Sequence, residues 1–389
     1  MKYNFDEIID RRGTNAMKWS VPAQSDIIPL WVADMDFRVA QPIADALQRR
    51  IDHGIFGYTK VPDAYYEATI NWFHRRHQWN IAREWIQYTT GVVPALSAII
   101  KGLTSPSDKV VVQTPVFNCF FSSIRNNGCQ IVENALRRQG DTYVMDYDEL
   151  DRLTRDPLCK LFLLCNPHNP AGRVWTGQEL ERAGEICRKN STIVVSDEIH
   201  CELAMPGYAY TPMASISPSA QDNCITCVSP SKSFNIAGLQ MANIVSNNAT
   251  WRKKIDRAIN INETCDLNPF GIEALIAAYN EGEEWLEQLL QYINGNYLIL
   301  KSFIDNNLPE LQVMRLEGTY LAWIDIKATG KTSDELTNTL LDHARVWVNS
   351  GTLYGQKDGE GYIRINLATP RANIEEALHR MTPILRELL

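Results

Sequence analysis

Three short apolar runs constrain this chain more than any other feature. They are Lys160-Leu161-Phe162-Leu163-Leu164-Cys165, Thr192-Ile193-Val194-Val195-Ser196 and Cys224-Ile225-Thr226-Cys227-Val228. Each is too short for a helix and is mostly β-branched or large apolar residues, the pattern of a strand buried on both faces. Such strands need helices to cover them, and helical patterns lie between them. The stretch from Thr176 to Asn190 is one, and its Thr176 and Glu179 have the spacing of a capping box. Trp85 to Thr89, Lys109 to Gln113 and Gln130 to Asn134 read as further strands, and residues 94–103 as a helix with Pro94 at its first position. Helices at 41–50 and 63–78 come earlier. Strands alternating with helices predict an α/β fold with a mostly parallel, doubly wound sheet.

The pattern changes near residue 280. A long helix over 282–306 leads to a strand at 319–326, a helix at 332–343, a strand at 362–367 and a closing helix from 373. This predicts a smaller α+β domain over residues 282–389, with 46–281 forming the large domain. Residues 1–45 are turn-rich and are expected to join the small one. A length of 389 residues suffices for two domains with a sizeable core. The net charge of -8 argues against nucleic acid or an anionic membrane as main partner. No apolar run approaches the ~20 residues of a membrane span, and the acidic start Met1-Lys2-Tyr3-Asn4-Phe5-Asp6-Glu7 lacks the core of a signal peptide. A cytoplasmic protein is expected. The nine cysteines are odd in number and scattered, which favours reduced thiols. Cys224 and Cys227 form a Cys-x-x-Cys without a second pair, so they read as strand thiols, and no metal site is expected.

In open parallel sheets, ligands bind at the carboxyl ends of the strands. Three exits here carry unusual chemistry. Ser229-Pro230-Ser231-Lys232-Ser233-Phe234-Asn235 holds either a lysine snorkelling to water or an amine kept in a polar pocket beside hydroxyls that bind an anion. A desolvated amine near other cations has a lowered pKa and forms imines readily. Asn166-Pro167-His168-Asn169-Pro170-Ala171-Gly172 is either an ordinary turn or an irregular backbone presenting amides to a cleft. In Ser196-Asp197-Glu198-Ile199-His200 a carboxylate either caps the next element or binds a buried cation. The amides of Gly91-Val92-Val93, at a helix start, suit a phosphate. Gly330-Lys331-Thr332 is no P-loop, because Asp325 stands where the first glycine belongs.

In this order the segments resemble the aspartate-aminotransferase-like family, fold type I of the pyridoxal 5′-phosphate (PLP) enzymes. Its pattern is an Asn-Pro-x-Asn-Pro loop, then Ser-Asp-Glu, then Ser-x-Ser-Lys, then a late arginine, here in Gly361-Tyr362-Ile363-Arg364-Ile365-Asn366. Val32-Ala33-Asp34-Met35-Asp36-Phe37, Phe56-Gly57-Tyr58, Ser196-Asp197-Glu198-Ile199-His200 and Ser231-Lys232-Ser233-Phe234-Asn235 are similar to the MalY/PatB cystathionine β-lyase branch in particular. The resemblance covers almost the whole chain. It implies that Lys232 carries PLP and moves the substrate's α-proton. Asp197 would pair with the pyridinium nitrogen, and Asn169 and His200 would touch the 3-oxygen. Ser229, Ser231 and the amides of Val92 and Val93 would hold the phosphate. Arg364 would grip the substrate carboxylate with its planar fork. Tyr58 would reach the active site of a neighbouring subunit, so a homodimer with shared sites is implied. Two positions depart from the pattern. Phe117 stands where a tyrosine usually stacks on the ring, and Gln240 where aminotransferases often have a phosphate-binding arginine. The implied activity is carbon–sulfur β-lysis of L-cystathionine or a related cysteine S-conjugate to a thiol, pyruvate and ammonia. The same residues serve an aminotransferase, and a regulatory binding protein of MalY type is a third reading.

Overall fold

A seven-stranded sheet forms the centre of the larger part of the molecule. Its order is Ile86–Thr89, Ala242–Val245, Cys224–Val228, Ile193–Asp197, Cys159–Cys165, Lys109–Val112 and Gln130–Glu133. All strands run parallel except Ala242–Val245, which is antiparallel to both neighbours. This α/β arrangement is the one the apolar runs predict. The computed structural model describes residues 2–20 and 26–389; residues 1 and 21–25, within the expected N-terminal segment, lie outside the described residues.

Helices cover both faces. Val92–Leu103, Asn118–Asn126 and Ala249–Asn260 enclose one apolar cluster that includes Leu96, Ile99, Val110, Leu163 and Ile225. The other face packs against Gly177–Lys189, whose cap is the capping box that Thr176 and Glu179 predict. The helix expected from Pro94 starts two residues earlier, at Val92. Pro94 is its third residue, and the correction has a simple cause: no first-turn N–H has an intrahelical partner, so proline is tolerated beyond the first position. The short antiparallel strand Ala242–Val245 and the helices Asn118–Asn126, Tyr147–Thr154, Ala249–Asn260 and Pro269–Glu281 go beyond the sequence expectation.

The remaining part is built on a four-stranded antiparallel sheet of Gln312–Val313, Leu321–Asp325, Tyr362–Asn366 and Asn349–Ser350. The long helix Glu283–Asn307 and the closing helix Arg371–Leu388 pack together over it. The helix expected at 332–343 is α-helical over Ser333–Thr339 and widens to a π-turn over Leu340–Ala344. From the N-terminal segment, Ile28–Pro29 pairs in parallel with Val346–Trp347, and Phe5 packs on Phe37, Trp285 and Tyr292. Among the described residues no helix is long and apolar enough to cross a membrane.

Candidate active site

The three strand exits converge because the parallel register aligns them. Cys165 pairs with Asp197, and Asp197 with Cys227, so all three chains leave the sheet at one level. The helix Val92–Leu103 points its N-terminus at the same place. A cavity of about 210 Å³ lies there, lined by Val92, Val93, Phe117, Asn169, Asp197, His200, Ser231 and Lys232, with Ala33 from the N-terminal segment. Its walls bring together eight of the residues picked out from the sequence.

Asp197 is 2% exposed, and among the described residues its carboxylate accepts one hydrogen bond, from the Ile199 amide at 3.1 Å. Burial pushes its pKa up to about 7; the Ile199 amide and Lys232 oppose the rise, and neighbouring Glu198 adds to it. A buried carboxylate with so little compensation suits a cationic ligand atom. Lys232 donates from Nζ to the Ala33 carbonyl at 2.7 Å. Burial lowers its pKa and the Arg364 charge adds to this, while Asp34 and Asp197 work against it. Phe234, two residues on, is fully buried and stacked on Trp285, which anchors the lysine loop in the core.

Arg364 is 4% exposed. It donates from Nη1 to Asn169 Oδ1 at 3.2 Å and from Nη2 to the Trp31 carbonyl at 2.8 Å, and lies over the Tyr354 ring at 4.8 Å. Its Nε has no partner among the described residues, and burial lowers its pKa. His200 meets the Tyr320 ring edge-on, and its Nδ1 is also unpartnered. Burial, with the Lys232 and Arg364 charges, brings its pKa down to about 3, so the imidazole is neutral. The Asn166–Gly172 loop is tied to the smaller part through Gly172, whose carbonyl accepts the amides of Glu317 and Gly318. Gly172 has φ +68, and a Cβ there would meet the Arg315 carbonyl and Leu316, so glycine is required.

Three sequence-derived residues do not line the cavity: Arg364, which borders it through Asn169, and Ser229 and Tyr58. Ser229 donates its hydroxyl to the Met241 carbonyl at 2.6 Å and accepts the Ser231 amide at 3.1 Å, so it faces the adjacent strand and not the cavity. Tyr58 is fully exposed on an irregular stretch after the helix Gln41–His53 and does not line this chain's cavity. Gln240 is exposed, with φ +53.

Sequence reading missed three contributors. The Ala33 carbonyl meets both Lys232 and the Tyr320 hydroxyl, the latter at 3.0 Å. Tyr354 lies under Arg364. Glu198 accepts Ser196 Oγ at 2.7 Å, the Met213 amide at 2.9 Å, Asn166 Nδ2 at 3.3 Å and the Tyr210 hydroxyl. The signal for Glu198 is its place beside Asp197, and that for Ala33 is its place in the Val32–Phe37 segment; for Tyr354 no local signal exists.

The donor set fits PLP. An uncompensated carboxylate, an amine with a lowered pKa and a helix N-terminus face one cavity, and they match a pyridinium nitrogen, an aldehyde and a phosphate. Comparison with known proteins agrees. The family model for aminotransferase class I and II matches residues 25–381. Cystathionine β-lyase PatB of Bacillus subtilis (strain 168) is 39% identical over 382 residues, 97% of this chain and 98% of that protein. A PLP-bound protein of Clostridium difficile 630, provisionally named an aminotransferase, is 42% identical with a TM-score of 0.95, over 98% of this chain and 100% of that one. Cystalysin from Treponema denticola, whose structure contains PLP, is 35% identical with a TM-score of 0.97 over the whole of both chains. With the fold, the convergent exits and these relatives in agreement, the chain belongs to the aminotransferase class I and II family of PLP enzymes.

Proposed function

We propose that this protein is a PLP-dependent carbon–sulfur β-lyase that converts L-cystathionine, or a related cysteine S-conjugate, to a thiol, pyruvate and ammonia. The observation that carries this reading is that Lys232 and the buried, little-compensated Asp197 line one cavity. The relative named cystathionine β-lyase, matched over nearly its full length, directs it to C–S cleavage. PLP, when bound, supplies an aldehyde for the amino acid and a ring that takes up the electrons left by the α-proton.

Each residue then has a task. The amides of Val92 and Val93 and the Ser231 hydroxyl hold the phosphate, and Ser229 supports Ser231 from behind. Asp197 keeps the ring nitrogen protonated. Phe117 offers an apolar wall without the hydroxyl that a tyrosine would bring. Neutral His200 and the amide of Asn169 serve the 3-oxygen. Arg364, fixed by Asn169 and the Trp31 carbonyl, receives the substrate carboxylate. The lowered pKa of Lys232 leaves more neutral amine to accept the α-proton. Loss of that proton and of the β-thiolate breaks the C–H and C–S bonds, and water completes pyruvate and ammonia.

The same reading places the protein in the cytoplasm as a homodimer, with Tyr58 of one subunit completing the site of the other. The full exposure of Tyr58, with exposed Ile51, Ile55 and Phe56 beside it, supports a covering partner. It also divides the chain into residues 46–281 and a small domain of 1–45 and 282–389, supported by the pairing of Ile28–Pro29 with Val346–Trp347.

An aminotransferase on the same residues is the second reading, favoured by the Clostridium difficile relative. Incubation of the PLP-loaded enzyme with L-cystathionine and no keto acid separates the two. The lyase yields thiol and pyruvate in equal amounts; an absolute need for a keto-acid acceptor, with transfer of the amino group, contradicts it.

A further inference from the structure

The stretch Trp31–Phe37 has no regular secondary structure, yet its backbone reaches both ends of the site. The Trp31 carbonyl accepts Arg364 Nη2, and the Ala33 carbonyl accepts Lys232 Nζ. Its outer side is tied down by charge. Asp36, 3% exposed, accepts Lys18 Nζ at 2.6 Å, Arg11 Nη1 at 2.7 Å and Trp19 Nε1 at 2.8 Å.

Its inner side is held by two asparagine side chains. Asn366, fully buried, donates from Nδ2 to the Val32 carbonyl at 2.6 Å and the Asp34 carbonyl at 2.7 Å, straddling Ala33. Its Oδ1 accepts the Ala368 amide at 2.8 Å. Asn235 donates from Nδ2 to the carbonyls of Met35 and Phe37 at 3.0 and 2.9 Å, and accepts the Met35 amide at 3.0 Å. In both cases the carbonyl partners require the NH₂ group and the amide partner requires the oxygen, so the orientation of each side chain is fixed. Asn366 stands two positions after Arg364 on the same strand face, and Asn235 three positions after Lys232. The segments that carry the two site cations therefore also hold the backbone those cations touch.

We infer that Asn366 and Asn235 are positioning residues: a pair of amide clamps that fix Trp31–Phe37 and thereby set where Arg364 and Lys232 stand in the site. The inference rests on the roles given above to Arg364 and Lys232 and goes beyond them. Without the Asn366 clamp, the Val32 and Asp34 carbonyls lose their donors and turn toward water. The Trp31 and Ala33 carbonyls between and beside them shift in turn. A carboxylate bound through Arg364 is sensitive to displacements of that size.

The test uses PLP-loaded wild-type enzyme and the variants Asn366→Ala, Asn366→Asp and Asn235→Ala. Asn190→Ala serves as a stability control, because Asn190 holds Asp151 and Thr154 far from the cavity. The probe is L-alanine, which has the amino acid's carboxylate and no leaving group; its Kd is read from the absorbance of bound PLP. KM and kcat for L-cystathionine and Tm are measured alongside. Asn366→Ala and Asn235→Ala are expected to raise the Kd and KM by about tenfold or more. Asn366→Asp keeps the shape but replaces donors by acceptors, so it should be at least as impaired. Asn190→Ala should lower Tm and leave Kd alone. Clamp variants that lower Tm with an unchanged Kd overturn the inference, since that is a purely structural role. If Asn366→Ala does not fold, Asn235→Ala decides, because it leaves the Asn366 bonds whole. Failure of the wild type itself to bind PLP and L-alanine rejects the parent reading and this inference together, whereas normal binding by wild type and variants alike rejects only the clamps.

Discussion

Asp197 shows how one residue can be costly to the fold and useful to the chemistry. Without a bound cation its burial raises the pKa to about 7. An unfolded aspartate titrates near 3.8, so between these values the folded chain holds a proton the unfolded chain has released. Stability of the PLP-free protein should therefore fall as pH rises through that window, by on the order of a few kcal/mol at most above pH 7. Asn at this position keeps the shape and removes the charge. Denaturant unfolding of PLP-free Asp197→Asn should show a protein more stable than wild type at pH 8, with the gap closing toward pH 4. Turnover of the PLP-loaded variant should fall by about a hundredfold or more, because a preorganised charge is lost where it acts. Identical pH curves, or near-normal turnover, would make Asp197 an ordinary buried polar residue.

At the scale of elements, Glu202 ties the helix Asp63–His77 to the exit of the strand Ile193–Asp197. Its buried carboxylate accepts Trp72 Nε1 at 2.7 Å, Arg76 Nε at 2.9 Å and His77 Nε2 at 2.7 Å. Burial works against its ionisation, but the His77 and Arg76 charges prevail and hold its pKa below the ordinary value. That stability is present above the unfolded glutamate pKa and is lost as pH falls through the lower folded value. Glu202→Ala should cost about 2 kcal/mol at neutral pH, since it leaves the Trp72 and His77 ring nitrogens without their acceptor, while Arg76 keeps Glu283 and Glu287. Denaturant titration checks this, and a loss under about 0.5 kcal/mol, the size of an ordinary surface change, would refute it.

Local features of this kind explain what could be read beforehand. The Thr176–Glu179 cap lies within one turn, and the exits carrying Asn169, Asp197 and Lys232 line up once the runs before them are parallel strands. The turn of Ser229 toward the Met241 carbonyl is not legible in the sequence, because Met241 borders the antiparallel strand Ala242–Val245, which is too short to show as a pattern. The Ala33, Tyr320 and Asn366 contacts join residues some 200 to 330 positions apart, and no local period reports them. Trp31–Phe37 was noticed in the sequence, but its role is carried by backbone carbonyls, which side-chain identity does not reveal.

For the whole molecule the central question is where the site is completed. Tyr58 is exposed and does not line its own cavity, so the reading given above needs a second subunit. Tyr58→Ala and Lys232→Ala, each nearly inactive alone, should regain activity when refolded together. A mixed dimer holds one whole site, built from Lys232 of one chain and Tyr58 of the other. Activity that stays at the level of the single variants, with mixed dimers shown to form, would remove Tyr58 from the site.

The most direct measurement of the account is to trap the cofactor. The PLP-loaded enzyme is reduced with borohydride, digested and mapped by mass spectrometry. The expected result is a phosphopyridoxyl mass on the peptide containing Lys232 and on no other. An adduct on a different lysine, or none at all, would contradict the assignment of this cavity as the active site.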